Sequence, residues 1–536
     1  MKISSRRQSA SPQPLRKCWS LLVVSSLLAG LACAQHASAQ GATPSNDPLL
    51  FPKDKFTLKT MSVTLPSGKK HVVYRSYQHL LYVTKPVDKN YESLDVKVPV
   101  SVNGVPVDAT NAPILFDVNI GGYMSSANIK VAGSNPAGPP GAGPGGPPGG
   151  PGGGPPGGFP GGPGGPPGAG PGNTDGAGLA SGYVIVSPGA RGRDNKFPNG
   201  IYYGKAPAAI VDLKAAVRYI RHNAGALPGN DNWIISSGCS AGGALSALLG
   251  ASGNSPLFEP YEKAIGAAEE PDNIFAAGCG SPVTDLDHND MSYEWAFGAS
   301  KPQPGVTVDP TVSAQLKAMF PAYEASLNLQ GQNGFGQLTA DNLGEYLVKY
   351  YLAPQADKYL LSLSDDKRKE YLANNPWLHW DGKNANFTYA EFAAQHIVRH
   401  KTAPAFSDFN LRAPETNEFG DATTNAQVFT NYSLQHLTGN PNATIDPKLQ
   451  AVVNLMNPMY FITRHNDGVA VHWWLHHGAI ETDSAPVSTI NMATGLQNMG
   501  RDVHAVIFWD AGHCEDLDPQ GFITWIGKIT GYTIKS

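Results

Sequence analysis

The chain has 536 residues, 41% of them hydrophobic, which is enough to bury at least one large core and suggests two or three structural units. Its 39 basic and 43 acidic residues leave a net charge of −4, with no basic stripe for phosphates and no polyanionic tail. That balance argues against a nucleic-acid partner.

At the N-terminus Arg6, Arg7, Arg16 and Lys17 precede the apolar run WSLLVVSSLLAGLACA, and AQHASAQ follows with small residues at Ala37 and Ala39. This is the pattern of a secretory signal peptide over residues 1–39, and the run is shorter than the ~20 residues that a spanning helix needs. The mature chain is expected to be periplasmic or secreted, with no membrane association after cleavage. Cys18 and Cys33 leave with the signal, so Cys239, Cys279 and Cys514 remain in an oxidising compartment as one pair and one left over.

PILFDVNIGG (113–122) reads as a buried strand running into a glycine turn. From Pro136 to Gly172 every residue is Gly, Pro or Ala except Phe159. Such a run cannot repay the entropy of ordering, so a disordered loop interrupting a domain is expected. GYVIVSPGARGR (182–193) is the next buried strand, and APAAIVDLKAAVRYIRHN places Ile210, Leu213, Val217 and Ile220 on one face of a helix. WIISSG is a further strand, and ALSALLG opens a further helix. Residues 286–455 change texture, with Trp, Tyr, His and Asn scattered through loops and short helical patterns, and read as a lid inserted into the core. Strands resume at AVHWWLHHG (470–478) and DVHAVIFWD (502–510), with MATGLQNMG helical between them and FITWIGKI as a closing amphipathic helix. Strands alternating with helices imply a mostly parallel sheet covered on both faces. The core is thus expected in two parts, 40–285 and 456–536.

GCSAG (238–242) matches the G-x-S-x-G elbow and has the context that motif requires, a strand entering and a helix leaving. Ser240 is the candidate nucleophile, and the N–H of Ala241 would face the developing oxyanion. The second donor is expected from NIGGY, which supplies Gly121, Gly122 and Tyr123, with Gly122 preferred. A serine hydroxyl needs a base, and His513, in the loop after the last strand, is placed to be one. His476 and His477, at the close of a strand, read as structural. The acid should follow the penultimate strand, where Glu481 and Asp483 both stand. Glu481 is three residues past Gly478, the usual position, whereas Asp483 is the commoner residue type. If Ser240 and His513 touch, their neighbours Cys239 and Cys514 come within reach of a disulfide, leaving Cys279 free. This chemistry needs no metal or organic cofactor.

The pairing of Cys-Ser with His-Cys resembles the tannase and feruloyl esterase family, α/β-hydrolases in which those cysteines are bonded to each other. SPGARGRDN, YGKAPAAIVDLKAAVRYIR, GCSAGGALSALLGASGN, SPVTDLDHNDMSYEW and the stretch from KTAPAF to EFGD are similar to bacterial tannases over roughly 50–300 and 395–536. The resemblance implies an α/β-hydrolase fold with a large inserted lid and hydrolysis of galloyl esters by Ser240, Glu481 and His513. It further implies that Lys401, Glu415 and Asp483 bind the phenolic hydroxyls while Val283 and Pro414 pack on the ring. Two features depart from the bacterial pattern: Glu481 stands where Asp is usual, and cysteines flank the nucleophile and the histidine. Two alternative readings are a feruloyl- or chlorogenate-type esterase and a non-catalytic binding protein on the same fold.

Overall fold

The computed structural model of the chain describes residues 47–127 and 172–534. The segment expected to be a signal peptide and the Gly/Pro run up to residue 171 lie outside the described residues; Gly172 already belongs to helix α1 (Gly172–Ala180).

Among the described residues ten strands form one sheet. Its N-terminal side is a meander of β1 (Thr57–Leu65), β2 (Gly68–Leu81) and β3 (Ser93–Val102), antiparallel throughout. β4 (Ile114–Val118), β5 (Val184–Pro188), β6 (Ile234–Cys239), β7 (Ala276–Gly280), β8 (His472–Gly478) and β9 (Asp502–Phe508) are parallel to one another. The spatial order is β1-β2-β3-β5-β4-β6-β7-β8-β9, with β5 antiparallel to β3, and the two-residue strand Val105–Pro106 pairs with β3 off this path.

The sequence of each strand follows from what covers it. In β3, Leu94, Val96 and Val98 alternate into the larger core. β4 and β6 are apolar without alternation, because Phe116 and Ile234 enter the larger core on one face while Leu115 and Ile235 enter a second core on the other. That second core is closed by α1 and by the C-terminal helix, whose Phe522, Ile523 and Ile526 are buried in it. On the opposite face α2 (Ala208–His222) buries the predicted Ile210, Leu213, Val217 and Ile220. It also buries Asp212 and Lys214, whose charges are matched by Arg191 at 2.6 Å and Asp272 at 2.7 Å.

β7, AAGCG, lacks the branched residues that mark a strand, and the sequence pattern does not reveal it. Packing selects its small residues: a Cβ on Gly278 would lie 2.7 Å from the Phe522 ring. Between β7 and β8 the chain makes short helices and three two-residue ribbons, beginning with α3 (Leu286–Phe297) and α4 (Pro310–Leu327) and including α5 (Pro414–Glu418). No helix among the described residues is long and apolar enough to cross a membrane.

From β4 the chain moves outward to β5 and then returns past β4 to β6, so the carboxyl ends of β4 and β6 adjoin, with Val118 paired to Gly238. Ligands of open α/β sheets bind in such a crevice. The mostly parallel sheet, helices on both faces and an insertion before the last two strands make up the α/β-hydrolase fold expected from the sequence.

Candidate active site

β6 ends at Cys239 and the next helix, Ala241–Ala251, starts two residues later, so Ser240 alone turns the chain, at φ 59° and ψ −125°. The two motif glycines are steric requirements of that turn. A Cβ on Gly238 would lie 2.4 Å from the Gly242 carbonyl oxygen, and one on Gly242 would lie 2.5 Å from that of Val118. The Ser240 N–H donates to Gly280 O at 3.0 Å, which ties the elbow to β7. The Ala241 N–H, at the start of the helix, has no acceptor among the described residues.

The expected partners converge on this serine. Ser240 Oγ is 2.9 Å from His513 Nε2, and His513 Nδ1 is 3.3 Å from Glu481 Oε2. Asp483 Oδ2 also approaches Nδ1, at 3.7 Å. Their surroundings separate the two acids. The Glu481 side chain is fully buried and accepts a hydrogen bond from Ser484 Oγ at 2.7 Å, whereas 39% of the Asp483 side chain is exposed and Asp483 pairs with His400 Nε2 at 3.1 Å. Burial alone would raise the Glu481 pKa, but His477 and His513 overcome it and hold the carboxyl at about 2. His477, buried 3.5 Å from the other Glu481 oxygen, has its own pKa lowered by burial. Burial likewise opposes ionisation of Asp483, and the His400 hydrogen bond with the charges of His513 and Lys401 outweighs it. His513 is pulled both ways: burial disfavours its charged form, yet the two carboxylates prevail and raise its pKa.

The turn after β4 closes through Met124 N–H to Gly121 O at 3.0 Å, with Gly122 and Tyr123 both left-handed at φ 54° and 57°. It packs over the elbow: the Tyr123 hydroxyl donates to Val283 O at 3.1 Å, and the Val283 N–H reaches Ser240 O at 3.4 Å. Val283 and Glu415 are buried, and Glu415 Oε2 has no hydrogen-bond partner among the described residues. Pro414 and Glu415 open α5, and Lys401 lies with Nζ 4.0 Å from the centre of the Phe406 ring.

Cys239 and Cys514 form a disulfide with Cα atoms 5.8 Å apart, and Cys279 is a free, buried thiol whose pKa burial pushes up to about 12. Beside the disulfide a cavity of about 90 Å3 is lined by Asp117, Trp474, His476 and Phe522 together with Cys239, Cys279 and Cys514.

Several contributors escape a reading of sequence alone. His400 bridges Asp483 and Thr482, with Nδ1 2.6 Å from the threonine hydroxyl. Asp510, three residues before His513, is held from the insertion by His396 Nε2 and the Tyr371 hydroxyl, both at 2.7 Å. Arg193 donates from Nε to Gly122 O at 2.6 Å. His400 adjoins Lys401 in RHKTAP and Arg193 lies in SPGARGR, but neither position carries a local signal of its role.

Known proteins match this arrangement. The BD-FAE family model matches residues 173–294. Esterase LipC of Mycobacterium tuberculosis is 43% identical over 53 residues, a match spanning 13% of that relative's length. The Fusobacterium nucleatum tannase superposes with a TM-score of 0.71 at 29% identity, covering 90% of this chain and 99% of that one. The Lactobacillus plantarum tannin acyl hydrolase does so with a TM-score of 0.71 at 30% identity, and a tannin acyl hydrolase in complex with 3,4-dihydroxybenzoate with 0.72 at 30%, each over 90% of this chain and 99% of the other. Sharing their fold and 30% identity along 90% of its length, the chain belongs to the tannase family of α/β-hydrolases and is a carboxylic ester hydrolase.

Proposed function

We propose that the protein is an exported serine esterase that hydrolyses galloyl and related phenolic esters through an acyl-enzyme. The observation that carries this reading is the 2.9 Å contact of Ser240 Oγ with His513 Nε2, backed by a buried carboxylate on Nδ1. His513 takes the hydroxyl proton as Ser240 Oγ bonds to the ester carbonyl, and Glu481 stabilises the imidazolium that results. The N–H groups of Ala241 and of the Gly122 turn receive the oxyanion. Collapse of the tetrahedral adduct breaks the ester C–O bond, and His513 passes its proton to the leaving alcohol. Water then repeats the sequence on the acyl-serine and releases the acid.

Residues 286–455 act as the lid; Glu415, with a buried oxygen that has no partner among the described residues, and Asp483 accept from phenolic hydroxyls, Lys401 donates to one, and Val283 and Pro414 pack on the ring. Related tannin acyl hydrolases in complex with ethyl gallate and with 3,4-dihydroxybenzoate support an aromatic acyl group. The leader and the Cys239–Cys514 bond support export. The same flanking disulfide favours hydroxycinnamoyl esters as the second reading. A panel of methyl gallate, methyl protocatechuate, methyl ferulate and a short aliphatic ester tests both. Methyl gallate is expected to give the highest kcat/KM; a preference for methyl ferulate selects the second reading, and failure of Ser240 to react with a fluorophosphonate removes both.

A further inference from the structure

Arg193 has a place in the site that its sequence neighbourhood does not announce. Its Nε donates to Gly122 O at 2.6 Å, its backbone N–H donates to Tyr123 O at 2.9 Å, and its Nη1 donates to Asn417 Oδ1 at 3.0 Å. The first two bonds seize both carbonyls of the left-handed pair in the turn after β4. The third reaches α5, the helix that carries Pro414 and Glu415.

The peptide group is planar, so fixing the Gly122 carbonyl fixes the opposite-facing Tyr123 N–H. Bonding of the Tyr123 carbonyl and of Met124 N–H to Gly121 O then leaves the turn little freedom. Neither the Gly122 nor the Tyr123 N–H has an acceptor among the described residues, as is also true of the Ala241 N–H at the elbow. A non-glycine residue at φ 57° is strained and persists only where its surroundings hold it. Glu418, fully buried on α5, has no hydrogen-bond partner among the described residues for either carboxylate oxygen. Lys205 braces the same strand end by donating to Arg193 O at 2.8 Å.

We infer that Arg193 is a positioning residue for transition-state stabilisation: it clamps the Gly122–Tyr123 turn so that its free N–H groups meet the oxyanion, and it links that turn to the acyl-binding helix. This inference rests on the esterase reading above. A clamp of this kind acts on the charge that develops during reaction, so its loss should appear in kcat on every ester and leave ground-state binding alone.

The test compares the wild type with Arg193→Met and Arg193→Lys on methyl gallate and on phenyl acetate, whose short acyl group makes little use of α5. Gallate inhibition and the rate of fluorophosphonate labelling are measured alongside. Arg193→Met is expected to lose about 100- to 1,000-fold in kcat on both esters, the range found when an oxyanion donor is removed, and to label correspondingly slowly. KM and gallate inhibition should stay within about threefold, since uniform binding is untouched. Arg193→Lys, which can still donate one bond, should recover about tenfold of the loss, and if Arg193→Met fails to fold the lysine variant decides by the same split between kcat and KM. A loss confined to methyl gallate and expressed in KM, or a kcat within about twofold of wild type, overturns the inference while leaving the esterase reading intact. A wild type inert to every ester and to the fluorophosphonate overturns both.

Discussion

Both acids after β8 reach His513 Nδ1, at 3.3 Å for Glu481 and 3.7 Å for Asp483, and sequence position alone left the choice between them open. Burial separates them, and burial is a tertiary property. A charge in a dry site interacts more strongly with a developing imidazolium than one that water screens and His400 shares, so Glu481 is the stronger partner. Glu481→Gln is therefore expected to lower kcat by about 1,000- to 10,000-fold on methyl gallate and on methyl benzoate alike. Asp483→Asn should damage mainly the gallate ester and leave methyl benzoate within about threefold. The pH profile gives an independent reading. The base must be neutral, and its partners raise the His513 pKa above the usual value, so the acidic limb of kcat/KM should lie above pH 6.5. Removing the Glu481 charge should move that limb to lower pH. An unmoved limb in Glu481→Gln, with a shift in Asp483→Asn, would reverse the two roles.

Among the secondary-structure elements, those with a period of their own were legible and those chosen by their neighbours were not. The face of α2 and the apolar runs of β4, β5, β6 and β8 can be read from residues, because each answers to packing against the sheet or on its two faces, and β9, an edge strand with only Ile507 buried, is read from its own apolar run. β7 cannot, since its small residues serve the ring of Phe522, and the turns that bring Arg193 and Asp510 to the site depend on contacts distant in sequence. The staple between the elbow and the histidine loop was legible because both cysteines adjoin reacting residues. It closes a separation of 275 residues, for which the chain-entropy picture gives stabilisation on the order of 4 kcal/mol or more. Cys239→Ala with Cys514→Ala should lower Tm and reduce kcat, because the loop bearing His513 then loses its covalent tie to the elbow and keeps only hydrogen bonds such as that of Cys514 N–H to Ser281 Oγ. Thermal melts and kcat on methyl gallate check this, and an unchanged Tm would show that the loop is held without the bond.

For the molecule as a whole, buried carboxyls set the response of stability to pH. Burial raises Asp290 and Glu324 to about 7 and Glu418 to about 8, against an ordinary value near 4. The native state therefore keeps protons that the unfolded chain has released. A raised carboxyl pKa contributes stability that is fully present below the unfolded value and is lost as pH rises through the folded one. From pH 5.5 to pH 8 the Tm should fall by about 1 °C for each kcal/mol so lost, and Glu418→Gln should flatten the decline. A Tm that climbs over this interval would contradict the assignment, and differential scanning calorimetry at constant ionic strength decides it.

Tyr123, Ser240, Ser281, Asp510 and Cys514 all have positive φ, and all five lie at the carboxyl ends of β4, β6, β7 and β9. None is glycine, so each conformation is imposed by the assembled surroundings, and this edge is expected to have less local stability than the two cores beneath it. Rising urea should find that edge first. Ester hydrolysis and fluorophosphonate labelling are expected to fail at a lower urea concentration than tryptophan fluorescence, which reports on buried Trp473 and Trp509, and to return on dilution from that interval. Coincident midpoints would instead make the site and the cores one cooperative unit. If the midpoints separate, the enzyme loses its function reversibly while still folded, and the useful limit on its working conditions is the endurance of five backbone torsions.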